Sequence, residues 1–126
     1  MRASLLLSLC IASICGASSP TALDELATLG RQLRHARSLP VGAPTGLSCP
    51  QQLDRFAGLQ KRQIAASLGK PDYTPGPDSQ WRKSGEWCYF FTSPVPEGQL
   101  GGGFPELTFI FDRHDHVVRT TCHYSR

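Results

Sequence analysis

Two stretches of the chain place large apolar side chains at every second position, and both are built largely on aromatic residues. Trp87, Tyr89 and Phe91 do so between Glu86 and Thr92, and Leu107, Phe109 and Phe111 do so after an interval rich in Gly and Pro. Successive side chains of a strand point to opposite faces, so this spacing predicts two strands that each bury one face. Asp112-Arg113-His114-Asp115 reads as a turn, and Val117 to Tyr124 as a third strand. Strands that follow one another without an intervening helix predict an antiparallel meander, and its apolar face must be covered by something else in the chain.

The cover is expected from residues just upstream. Pro50 is tolerated at a first helical position, Leu53 and Phe56 form an i, i+3 apolar pair, and Gly58 ends that short helix. A second helix is expected from about Gln60, with Ile64, Ala65 and Leu68 on one face, Gly69 as its left-handed stop and Pro71 beyond. Asp72 to Ser79 reads as loop. Helices followed by strands predict a segregated α+β fold, two short helices packed on a three-stranded antiparallel sheet in the order α-α-β-β-β. Its core is expected to hold Ile64, Leu68, Leu107, Phe109 and Phe111.

Further upstream, Thr21 to Leu39 carries a helical stripe of Leu23, Leu26, Ala27 and Leu33, with Thr21 as the cap and Asp24 three positions on. Arg31, Arg34, His35 and Arg37 sit near its C-terminal end, the favourable sign for the helix dipole. Such a segment serves either as a basic amphipathic helix touching a membrane or partner, or as a helical spacer; its shortness favours the spacer. Pro40 to Gly46 is a linker by composition. Residues 18–46 are thus expected to be an arm and linker outside a domain at 47–126.

The chain opens with a third kind of segment. Met1-Arg2 is a short basic start, Leu5 to Ala12 an apolar run, and Gly16, Ala17 and Ser18 are small. This is the layout of an export signal over residues 1–17, and the run falls short of the roughly 20 apolar residues that span a bilayer. Cleavage after Ala17 fits the small residues there; the alternative is lipid attachment at Cys15, against which the bulky Ile14 stands. Loss of residues 1–17 leaves Cys49, Cys88 and Cys122 to meet an oxidising compartment, enough for one disulfide and one thiol.

Thirteen Lys and Arg against ten Asp and Glu is too balanced for a chain that holds nucleic acid by bulk charge, and 126 residues make one domain at most. No arrangement for catalysis emerges either. His114, His116 and His123 lack the spacing of a metal site, so His114-Asp115-His116 reads as a polar hairpin tip. Gly101-Gly102-Gly103 lacks the Lys-Ser/Thr of a phosphate loop and runs into Phe104-Pro105, a hairpin connection rather than a nucleotide cradle. Cys88 sits inside an aromatic strand, which favours a core thiol over a nucleophile. The expectation is a non-enzymatic protein without metal or cofactor. Binding is the more credible use: Trp81 and Arg82 precede the first strand, and Phe104 and Pro105 follow the Gly run at the end of a long loop. Trp81 and Phe104 serve equally well as lids on the sheet edge.

Several segments together resemble a known family. Gly58-Leu59-Gln60-Lys61-Arg62-Gln63-Ile64 with Leu68-Gly69-Lys70-Pro71-Asp72 looks like its helix and exit turn. Trp87-Cys88-Tyr89-Phe90-Phe91 and Leu107-Thr108-Phe109-Ile110-Phe111-Asp112 look like its strands. Over residues 50–124 the chain is similar to the SmpA/OmlA group, the BamE-type small lipoproteins of outer-membrane assembly. The resemblance implies an accessory in the periplasm or on the periplasmic face of the outer membrane. Such a protein binds other envelope proteins, and touches the membrane itself only if lipid-anchored. Similar modules also occur in secreted inhibitors of the β-lactamase-inhibitor type. The alternative is therefore a secreted or periplasmic inhibitor or immunity protein that blocks an enzyme through Trp81 and the Gly101–Phe104 loop.

The meander layout bears on the cysteines. With Cys88 on the first strand and Cys122 on the third, their Cα atoms would lie about 10 Å apart, beyond the roughly 7 Å a disulfide spans. Cys49 can reach a strand end, so the expected bond is Cys49–Cys122 with Cys88 a buried thiol; a different strand order would reverse this.

Overall fold

The structure, a computed structural model, describes residues 21–75, 85–94 and 103–125. The export signal and Cys15 lie outside the described residues. Six elements follow in order: α1 (Ala22–Ser38), a 3-10 turn (Leu53–Phe56), α2 (Lys61–Leu68), β1 (Glu86–Phe90), β2 (Pro105–Phe111) and β3 (Val117–Tyr124). The architecture is α+β, two helices with a three-stranded antiparallel sheet of order β1-β2-β3.

Local chemistry starts each helix. Thr21 and Asp24 form a reciprocal capping box: the Asp24 amide donates to Thr21 Oγ1 at 3.2 Å and the Thr21 amide to Asp24 Oδ2 at 3.1 Å. Hydrogen bonding to the Asp24 carboxyl, from the Thr21 hydroxyl first and then from the Thr21 amide, holds it below its ordinary pKa. In α2, Gln60 and Gln63 form the same box. Gly69 then ends α2 at φ 77°, a backbone angle that side-chain-bearing residues avoid.

The segment expected as an arm is part of the core. Leu26, Leu29, Leu33 and Ala36 are buried along one stripe of α1, and the three leucines pack with Phe56, Ile64 and Leu68. Leu23, expected on that stripe, is 47% exposed. The buried face is rotated toward Leu29 and Gly30, because α1 lies directly against α2 there. A Cβ at Gly30 would stand 2.2 Å from the carbonyl oxygen of Ser67, so the helices meet where one of them has no side chain. Ion pairs tie both ends of α1 down: Glu25 to Arg55, and Arg37 to Asp72 at 2.6 Å.

The first helix of the fold is therefore α1, and the segment after Pro50 makes only the 3-10 turn. Its propagation is cut off by the sheet: the Gly58 amide donates to the Val117 carbonyl, and the Val117 amide to Leu59, both at 2.8 Å. Once those groups pair with β3, they are lost to a helix.

The strands run where period two places them. Register aligns Trp87 with Phe109 and Tyr89 with Leu107, and then Leu107 with Cys122 and Phe109 with Thr120. Tyr89, Leu107, Phe109 and Val117 form the buried face, with Phe91 beyond β1. Phe109 stands edge-on to Phe56 at 5.8 Å and to Tyr89 at 6.0 Å, the arrangement that ring quadrupoles favour. Phe111, expected in the core, is only half-buried. It packs on Trp87 at 5.2 Å, and the Lys61 ammonium lies 5.0 Å from both ring centroids.

Asp72 joins the layers, its carboxylate accepting from Arg37 and, at 2.7 Å, from the Phe90 amide. Tyr89 donates its hydroxyl to the Gly69 carbonyl at 2.8 Å. Burial above all, and then the Asp72 charge, push the Tyr89 phenol well above its ordinary pKa. A group with a raised folded pKa stabilises below its unfolded value and loses that contribution as pH rises.

Three variants check this account. Leu33→Ala should cost about 2–5 kcal/mol in urea unfolding, whereas a solvated arm would show almost no change. Gly30→Ala, favourable in an ordinary helix, should instead cost about 1–3 kcal/mol because it overpacks the α1–α2 contact. In an alkaline titration followed at 295 nm, the Tyr89→Phe variant should lack the last absorbance component. In the parent, that component should coincide with loss of tertiary circular dichroism.

Candidate binding surface beside the disulfide

Cys49 and Cys122 are bonded, with Cα atoms 5.7 Å apart and a separation of 73 positions in sequence. The register explains the choice of partner. Cys122 lies opposite Leu107, on the core side of β3, whereas Cys88 lies opposite Thr108, on the other face and two strands away. Cys88 is buried outside any disulfide, with the Thr108 hydroxyl 3.4 Å from its sulfur. A further bond, from the Cys49 amide to the Tyr124 hydroxyl at 3.1 Å, seats the linker's end alongside β3.

Residues 48–55 are thereby held as a ridge with a hollow on each side. A hollow of about 830 Å³ separates this ridge from the first turns of α1, lined by Asp24, Thr28, Leu29 and Gln32. On the other side, a groove of about 690 Å³ runs between Gln51–Arg55 and Arg119–His123. Arg55, in the wall of this groove, reaches back across the ridge to Glu25.

The outer edge of β3 borders the groove. Ser125 exchanges backbone bonds with Gly103 and Phe104 on the β2 side. Alternation then turns the peptide groups of His123, Thr121 and Arg119 toward β2, and those of Tyr124, Cys122 and Thr120 away from it. Nearer the turn, the same outer edge is occupied: Val117 pairs with Gly58 and Leu59, and Gln60 forms a bridge to His116. Beyond that point the outward groups have no backbone partner among the described residues. Thr120 Oγ1, in a side chain only 9% exposed, also lacks a hydrogen-bond partner.

The residues expected to bind a partner are placed differently. Trp81 and Arg82 lie outside the described residues. Phe104 is 9% exposed, its ring 5.8 Å from Phe90 and its amide donating to Ser125 Oγ at 3.2 Å. Pro105 is buried and opens β2, opposite Tyr124. Both are part of the sheet's end, a lid rather than exposed anchors, because the β2–β3 ladder continues past Pro105 and draws them in. Gln51, Gln52, Arg119 and Thr120, which line the groove instead, belong to no motif; the clue to them was the Cys49–Cys122 pairing, which forces residues 48–55 to run beside β3.

The histidine-bearing turn is a structural device. Asp112 Oδ1 accepts from the amides of His114 at 2.8 Å and His116 at 3.0 Å; these bonds, His116's first, keep its carboxyl below the ordinary pKa. Asp115 takes a positive φ of 61°, and its carboxylate pairs with Lys61. Among the described residues no group of three or more His, Cys, Asp or Glu is placed to hold a metal ion, and no helix is long and apolar enough to cross a membrane. No protein-family model, curated protein or solved structure matches the chain.

Replacing Cys49 and Cys122 together by Ser should lower stability by about 4 kcal/mol, the chain-entropy value for a loop of this length. Without reductant, iodoacetamide should add to Cys88 only in denaturant, and peptide mapping before and after reduction should show the Cys49–Cys122 pair.

Proposed function

We propose that the chain is an exported, non-enzymatic envelope protein of the SmpA/OmlA type that binds another outer-membrane or periplasmic protein. The observation that carries this reading is the groove beside the Cys49–Cys122 bond, an open surface on a small scaffold whose staple suits an oxidising compartment. The export signal and the family resemblance give the location. Recognition then falls to the groove walls, Gln51–Arg55 and Arg119–His123, rather than to the Phe104–Pro105 corner. The inhibitor reading loses Phe104 as a contact, since its ring is spent against Phe90. A BamE-type accessory needs no catalytic group, only a rigid face held in one orientation, and the disulfide, the core and the Asp72 bonds supply that rigidity.

Photoreactive residues at Gln52 and Arg119 test the reading in cells that produce the chain. Both should form a discrete adduct with the same envelope protein, and a photoreactive residue at exposed Lys70 should not. Adducts of equal yield from Lys70, or none from the groove, would refute it. Intact mass of the purified chain reports the location: loss of residues 1–17, or an acyl chain on Cys15, is expected.

A further inference from the structure

The geometry points to strand addition: the outer edge of β3 at Thr120, Cys122 and Tyr124 receives an extended segment of the partner protein, carrying a carboxylate that meets Arg119. The inference rests on the proposed function and names the form the partner takes at that site.

Three observations support an extended polypeptide as the occupant. The first is backbone chemistry. β3 is a terminal strand, and the outward amides and carbonyls at these positions offer donors and acceptors spaced for another strand. The chain itself uses this ledge, with Gly58 and Leu59 paired to Val117 as a strand would be, and the open stretch continues that pairing in line.

The second is room. The Cys49–Cys122 bond leaves β3 on its core side, where Cys122 lies beside Leu107; the turn at Leu53–Phe56 packs close to β3, and the groove of about 690 Å³ lies between residues 51–55 and 119–123. The five residues from Arg119 to His123 span about 16 Å, enough for four or five extended residues. Thr120 Oγ1 is the third. It lines this groove, nine-tenths buried and without a hydrogen-bond partner, and burying a hydroxyl unpaired is costly. A partner's peptide group or hydroxyl in the groove satisfies it.

Charge selects among extended segments. Arg119 is exposed and carries no ion pair among the described residues, and it shares its sheet face with Thr121 and His123. A carboxylate on the matching face of the added strand has Arg119 within reach. Proteins commonly protect terminal strands by covering or charging them. Here the half near the turn is covered by residues 58–60, and the other half has no backbone partner among the described residues.

Selection of linear peptides of about eight residues from a phage library on the oxidised, exported chain tests this. Selected peptides should contain an acidic residue and slow amide hydrogen exchange at Thr120, Cys122 and Tyr124 by about tenfold or more, with little change at Arg119, Thr121 and His123, which bond to β2. N-methylation of alternate peptide residues should weaken binding about tenfold in one phase and hardly at all in the other, as only a strand partner requires. Arg119→Glu, an exposed substitution, should weaken it by a similar factor with urea unfolding unchanged. Failure to select any peptide, protection elsewhere, or N-methyl effects without alternation would each overturn strand addition. An envelope partner crosslinked through Gln52 and Arg119 that leaves those three amides unprotected would overturn strand addition alone and leave the proposed function standing.

Discussion

Phe109 is the point at which the layers meet. It sits mid-strand in β2, presents its ring edge-on to Tyr89 from β1 and Phe56 from the 3-10 turn, and is fully buried among Leu26, Leu33 and Ile64. Interiors are packed as densely as organic crystals, so a ring held from several sides fixes the separation of everything that touches it. The distance of α1 from the sheet, the seat of the 3-10 turn against β3, and hence the ridge at residues 48–55 all follow from that contact. The disulfide then locks a ridge that apolar packing has already brought near. A domain this small has little apolar surface to bury, which is why the core and the covalent bond are both required.

The strands were legible in the sequence and the helices only partly. Alternation at Trp87, Tyr89, Phe91 and at Leu107, Phe109, Phe111 is local information, and β1 and β2 lie where it puts them, with β3 after the turn at Asp112–Asp115. The disulfide was legible too, because strand order alone separates Cys88 from Cys122. The membership of α1 in the core was harder to see. Its capping box at Thr21 and Asp24 was visible, but Leu23 and Ala27 blurred the stripe, and Gly30 reads as a weak helix residue until Ser67 is known to face it. The 3-10 turn shows the converse: Leu53 and Phe56 have helical spacing, and the backbone of Gly58 and Leu59 goes to Val117 instead.

The surface was less legible than the fold. A groove forms between residues far apart in sequence, and Gln51, Gln52, Thr120 and Arg119 carry no pattern that marks them. Aromatic residues next to glycines suggested contacts, yet Phe104 and Pro105 complete the β2–β3 ladder and lose their exposure to it. What makes the β3 edge a candidate is the accounting of backbone partners along the sheet, which needs the register and hence the tertiary structure.

The same bond that holds the ridge also sets an order of events during folding. α1 leads the described chain and α2 follows close behind to meet it, but the strands that complete the core and the cysteine that pairs with Cys49 arrive last, on β2 and β3. Contacts so distant in sequence are slow to form, because loop closure precedes any gain from packing. As the chain emerges, Cys88 meets Cys49 before Cys122 does. A Cys49–Cys88 bond is thus the natural early mistake, and it would pull a residue from the far face of β1 toward the linker. Thiol–disulfide exchange must undo it before the sheet can close. Burial of Cys88 on the far face of the finished sheet removes that competitor, so completion of the meander protects the correct pairing from reshuffling.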